Sequence, residues 1–243
     1  MTALIRAELT ALRTLRSTYA VAAVTILLAA GITWADMADA GTKSLDSARE
    51  LRDALVMASG LVSALFVALF AALRTASEYR YGTIAQRALA SPHRGRMLAS
   101  RLVTYGGLSA LISAAAFGAS YLIAGPVLES KHMALQIGSS DLLRITGEVV
   151  ASCTLFGMLG VAVGFICRSQ AAAIIVVFGT FLAEKLLSGL IGPVHGYLPY
   201  ALLNSVLDLD RAVAPFTAGL ALAGIAAAIA MAAGLLLNHR DVI

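Results

Sequence analysis

Apolar residues in this chain fall in long unbroken stretches separated by short polar ones, not in the strict alternation of a half-buried strand. Six stretches stand out: Tyr19–Trp34, Ala54–Leu73, Leu102–Gly125, Ile145–Cys167, Ala171–Ile191 and Pro215–Leu237. Most reach the ~20 residues that a helix rising 1.5 Å per residue needs to cross a hydrocarbon core about 30 Å thick. The pattern predicts an all-α polytopic membrane protein of six transmembrane helices, over about 18–36, 54–73, 102–125, 145–167, 171–191 and 215–237. Outside the spans no segment reaches thirty residues, so residues 1–243 read as one membrane domain without an appended soluble one. A cleaved signal peptide is the rival for the first span, since Arg6, Arg13 and Arg16 precede it and Ala38-Asp39-Ala40 resembles a cleavage site. The preceding region is long and contains Glu8, which favours a retained helix.

Residues 1–17 read as an interfacial helix. At 100° per residue Leu4, Ile5, Leu9, Leu12 and Leu15 share an arc, with Arg6 and Arg13 beyond its edge. Glu8 falls inside the apolar arc, where a basic partner in the segment 74–101 would suit it; the bland alternative is a basic tail with a fraying helix. Residues 192–209 are too apolar for a free loop, and Pro193 and Pro199 break them too often for a span. A short re-entrant or interfacial helix near the outer surface fits, with Tyr197 and Tyr200 at headgroup level. Gly160-x-x-x-Gly164, one turn after Gly157, is a small face that lets helices approach closely.

Charge sets the orientation. Of 18 Lys and Arg, a cytoplasmic N-terminus places eleven inside and six outside, with Lys185 within a span. The excess predicts both termini and residues 74–101 on the cytoplasmic side. A net charge of +4 could suggest nucleic acid, but the basic residues lie beside spans, where topology and anionic headgroups account for them. Cys153 and Cys167 lie about 21 Å apart on one predicted helix, far beyond disulfide reach, and no CxxC motif is present.

Segment 74–101 carries the most specific signal. Thr83-Ile84-Ala85-Gln86 has the form of a capping box, and Pro92 disfavours helical geometry at Ser91. Ser91-Pro92 then suits the cap and first position of the next helix. The expected result is a cytoplasmic helix of about two turns, Ile84–Ala90, flanked by Arg80, Arg87, Arg94 and Arg96. A generic positive-inside loop explains the arginines but not the paired caps.

Glu78-Tyr79-Arg80-Tyr81-Gly82-Thr83, followed by Pro92, basic residues and Arg101, resembles the first cytoplasmic loop of ABC-2 type transporter permeases. The resemblance extends to the plan: an amphipathic N-terminal helix near Glu8, six spans, and a broken outer segment before the last. Two positions depart from the family pattern: a lysine is common where Arg101 stands, and Gly95 falls where an arginine often follows the proline. The resemblance implies a coupling device of Glu78, Arg80, Gly82, Thr83, Ile84, Arg87, Leu89, Pro92, Arg94 and Arg96 docking on a separate ABC ATPase. It further implies two ATPase copies, a second copy of this chain or a related permease, and a bacterial plasma membrane. Substrates of that family suggest export of a hydrophobic or amphipathic compound such as a drug, an antimicrobial peptide or a lipid-like molecule. The chain lacks Gly-x-x-x-x-Gly-Lys-Ser/Thr, so no cofactor is expected in it, and ATP with Mg2+ would belong to the partner.

Phe66, Phe70, Phe178 and Phe181, on spans that border the translocation path in that family, and the intramembrane Glu184 and Lys185 are candidates for that path; packing or lipid contact is the plainer role for the phenylalanines. Glu148 lies about 5 Å and Glu184 about 10 Å inside the predicted outer boundary. A Lys185–Glu148 pair between helices is one reading; headgroup positions past an early helix end are the other. An ion-coupled transporter or channel using Glu148, Glu184 and Lys185 is the alternative function. His93, His132, His195 and His239 lie at or beyond span edges, which disfavours an intramembrane protease or a histidine metal site.

Overall fold

A computed structural model describes residues 2–40, 47–82, 94–133, 137–187, 190, 192–209 and 213–239. It is all-helical, with no strand among the described residues. The described residues form eight α-helices, in order α1 Thr2–Thr14, α2 Arg16–Ala38, α3 Ala48–Arg80, α4 Arg94–Glu129, α5 Ser139–Cys167, α6 Gln170–Leu187, α7 Pro199–Val206 and α8 Pro215–His239, with a 3-10 helix over Gly192–Tyr197 before α7. Helices α2, α3, α4, α5 and α8 are long and apolar enough to cross a membrane by length and composition. Helix α6 covers most of the remaining predicted span, and its 18 residues extend about 27 Å.

The helices outrun the hydropathy boundaries because polar residues terminate them. Ser47 accepts from the Glu50 amide at 3.2 Å and Glu50 accepts from the Ser47 amide at 3.0 Å, a reciprocal capping box that starts α3 six residues before its apolar run. At its other end, Gly82 has φ 67, and the Tyr81 amide donates to the Ser77 carbonyl at 3.0 Å. A left-handed residue just past the last turn is the usual stop for a helix, and glycine adopts it without a side-chain clash. Helix α4 continues through Pro126 to Glu129, although the predicted span ends at Gly125.

Helices α3 and α5 form the centre. Each is 61% buried over its apolar window, against 28% for α2 and 22% for α8, which therefore make the outer layer. Lipid tails are as apolar as leucine side chains, so helices gain little from hiding apolar surface against each other and depend on close packing. The small face predicted on α5 provides it. A Cβ at Gly160 would lie 2.1 Å from the Ala68 carbonyl oxygen, and one at Gly164 2.6 Å from that of Ala72. Gly157 serves α4 in the same way, with a Cβ there 2.0 Å from the Ser109 hydroxyl. Cys153, a free thiol in this seam, donates to the Gly60 carbonyl at 3.5 Å, and Cys167 is also free.

Candidate functional site

Three helices meet on one arginine. Arg101, seven residues after the start of α4, has a side chain only 1% exposed, although an arginine carries five donors and a permanent charge. Its Nε donates to Glu8 Oε1 of α1 at 3.2 Å, and its Nη2 pairs with Glu78 Oε1 of α3. The Phe165 ring of α5 lies under the guanidinium, 5.4 Å from its carbon to the ring centroid. Both carboxylates are buried, with side chains 8% and 9% exposed. A planar fork with five donors can meet two carboxylates and lie flat on a ring, whereas a lysine ammonium is a point charge with three donors and no planar face to stack.

Glu8 reaches this place because α1 is held against α4. Leu12, one turn on from Glu8 and 4% exposed, joins Phe70, Met97, Leu98, Tyr105, Val161 and Phe165 in an apolar cluster. Leu9, at 47% exposed, lies off the packed face. The Glu8 side of α1 thus faces protein, a departure from a helix lying in lipid with its whole apolar arc. Leu15 leaves helical geometry at φ −89, ψ 118, and this turns the chain from α1 into α2.

Aromatic and basic side chains surround the triad. Tyr79 meets Phe165 edge to face at 6.4 Å, and the Arg168 guanidinium lies over the Tyr79 ring at 5.2 Å. Arg168 itself is left-handed, with φ 54, at the sharp junction of α5 and α6. Arg80 Nη1 donates to Gln170 Oε1 of α6 at 3.1 Å. Within the motif, Glu78 holds Arg101, Arg80 reaches α6, and Gly82 ends α3. Arg96 is exposed, and Arg94 opens α4. Thr83, Ile84, Arg87, Leu89 and Pro92, together with the expected two-turn helix, lie outside the described residues. Arg101, expected as the far edge of the loop, is the centre that binds its two ends together.

The six residues assigned to a translocation path do not share one place. Phe70 is buried beside Tyr105, with ring centroids 6.2 Å apart, in the cluster around the triad. Phe66 is half-buried one turn earlier on α3. Phe178 and Phe181 touch at 6.3 Å, Phe178 being 46% exposed while Phe181 packs on Tyr200 at 4.9 Å. Glu184 is buried and Lys185 exposed. Glu148 pairs with Arg144 on its own helix at 3.8 Å. Tyr200 also departs from expectation. It is 6% exposed and enclosed by Phe156 and Phe181, whereas Tyr197 is 62% exposed and free to lie at a headgroup boundary.

No family model matches this chain, and no curated protein matches it either. The described residues contain no cluster of His, Cys, Asp and Glu suited to a metal ion.

Proposed function

We propose that this chain is the membrane half of an ATP-driven exporter of the ABC-2 type, crossing the bacterial plasma membrane six times with both termini inside. Helix α6 is the shortest span in this reading. Two ATPase subunits, which bind the ATP and Mg2+, drive two such membrane domains. The cargo is a hydrophobic or amphipathic compound.

The observation that carries this reading is the buried triad. It ties the last turn of α3 and an early turn of α4 to each other and to α1, so the two helices that flank residues 83–93 in sequence are joined at one node. A protein pushing on that segment would act on three helices together. A loop serving only to connect two spans needs no such node, and burying an arginine with two carboxyl groups is costly unless geometry repays it. The motif residues support the same reading, because Glu78 and Gly82 have separate structural tasks at the root of the segment.

Copurification tests it. The tagged chain, extracted from native membranes, should bring down an ABC ATPase and hydrolyse ATP as a complex, while the isolated chain should not. Glu78→Gln should weaken ATPase retention and substrate flux severalfold, with Leu122→Ala, at a 73% exposed position on α4, as the control. Full flux and full ATPase retention in Glu78→Gln would remove the triad from the coupling role. Flux driven by an ion gradient with no ATPase present would remove the exporter reading altogether.

A further inference from the structure

A third buried carboxylate lies outside the triad. Glu184, in the last turn of α6 and 5% exposed, accepts from the Tyr200 amide at 2.9 Å and the Ala201 amide at 3.2 Å, both through Oε2. These amides open the first turn of α7, where the helix leaves donors unsatisfied and its dipole favours a negative charge. Glu184 therefore has a structural task, but it uses one oxygen. The other, Oε1, is buried and has no hydrogen-bond donor among the described residues. A buried carboxylate oxygen without a donor is costly, and its natural complement is a group that brings both positive charge and N–H bonds.

Glu184 lines a cavity of about 180 Å³. Phe181 and Tyr200, with ring centroids 4.9 Å apart, supply aromatic walls, and Asn204 adds a side-chain amide. Leu61 of α3 closes one side. Aromatic faces attract cations, and an amide oxygen accepts from them. The volume lies below the roughly 300–1,000 Å³ of pockets that enclose drug-sized molecules, so the cavity suits a headgroup and not a whole ligand. Leu61 also borders a larger cleft of about 580 Å³, with apolar walls from α2 and α3 and with Asp36 and Asp53 among its lining. An apolar remainder of the ligand has room there.

We propose that the Glu184 cavity is a binding site for an organic ammonium group, with the N–H donors directed at Glu184 Oε1 and Asn204 and the cation against Tyr200 and Phe181. Lys185, from an exposed position, and His195, half-buried, also line the cavity. In this assignment Lys185 opposes the ligand's charge and does not recognise it. The site does not depend on the coupling apparatus, and it stands whether or not ATP drives transport.

Saturation-transfer NMR on the purified full-length chain, with ethylammonium as probe and ethanol as its uncharged counterpart, tests the proposal. Ethylammonium should show transfer and ethanol essentially none. Glu184→Gln keeps an oxygen for the two α7 amides, so the fold should persist while binding weakens about tenfold or more, the scale of one charge-assisted bond. Leu61→Trp, which fills the cavity and leaves Glu184 intact, should also abolish transfer and guards against a folding defect in the first variant. Lys185→Gln should bind as well as the parent or better. Equal transfer for ethylammonium and ethanol, binding unaffected by both Glu184→Gln and Leu61→Trp, or binding lost in Lys185→Gln would each overturn the assignment. ATPase copurification is measured separately, so failure here leaves the exporter reading to its own test.

Discussion

Removing the charge of Arg101 should expose how the triad is balanced. Arg101→Gln leaves Glu8 and Glu78 buried near one another without the guanidinium that faces both. Breaking a buried ion pair by deleting one partner costs about 3–5 kcal/mol, because the remaining charge loses its compensation. Interhelical polar contacts in membranes fall toward the low end of such ranges, since the unfolded chain finds substitute partners in detergent or lipid. A loss of about 3 kcal/mol is therefore expected, roughly a hundredfold in the unfolding equilibrium. Arg101→Lys should fall between parent and glutamine, because an ammonium keeps the charge but lacks the planar fork and the flat face that lies on Phe165. The informative variant is the triple one, Glu8→Gln with Glu78→Gln and Arg101→Gln. It removes every charge together, and replacing a whole buried charged group is often close to neutral, so it should recover to within about 1 kcal/mol of the parent. Unfolding in mixed micelles, followed by circular dichroism against SDS fraction, measures all of these. If Arg101→Gln matches the parent within about 0.5 kcal/mol, or the triple variant is as unstable as the single one, the triad is not an electrostatically closed node.

Three further outcomes follow from other parts of the fold. Gly160→Ala puts a Cβ 2.1 Å from a backbone oxygen and should destabilise by about 1–3 kcal/mol, whereas Gly147→Ala, with nothing within 4 Å, should stabilise by about 0.5–1 kcal/mol through helix propensity; the same micelle titration reads both. Lys131 donates to the carbonyls of Ala38 and Ala40 at the end of α2, so Lys131→Met should cost about 1–2 kcal/mol and increase hydrogen exchange in the last turn of α2, read by mass spectrometry. With Cys153 and Cys167 removed, a cysteine at Ser91 should resist an impermeant maleimide in intact cells while one at Ser139 reacts, and the reverse pattern would invert the orientation.

The helical class and most of the long helices were legible because an unbroken apolar run of twenty residues has few other uses. Their ends were not. The apolar run covers Ala54–Leu73 whereas the helix covers Ala48–Arg80, since helix formation depends on caps and backbone bonds while hydropathy follows the lipid. Glu8 was visible as an anomaly in an apolar arc, and so was its need for a basic partner. Its partner, Arg101, lies in the segment 74–101 where one was sought, 93 residues away; which arginine of that segment it meets depends on how α1 packs on α4, and no local pattern gives that. Tyr200 was misread for a related reason. Its headgroup placement rested on the habits of tyrosine, whereas its position is fixed by Glu184 holding its amide and by two rings enclosing its side chain. The three-residue spacing of Phe178 and Phe181 brings their rings together, but spacing does not give the rotation of one helix against another. Phe70 therefore packs into the triad cluster while Phe178 is turned outward.

Helix α3 is the element common to both sites. Glu78 lies at one end of it, and Leu61, which walls the Glu184 cavity, lies 17 residues away, about 26 Å along the axis. Between those points the helix has no proline, and its backbone touches α5 at Ala68 and Ala72 with no side-chain layer between them. Such contacts cannot be compressed, and a helix bends sharply only at particular breaks such as proline or inserted side chains. Movement imposed near Glu78 must therefore carry α5 with it or slide the two backbones past each other along the glycine seam. The first alternative moves Leu61 as part of a rigid body, with the Glu184 cavity opening only if α6 and α7 stay behind. The second requires Gly160 and Gly164 to clear two carbonyl oxygens, and an alanine at either position would block it. The glycine seam thus bears on both the stability of the central pair and the kind of motion that could link one site to the other.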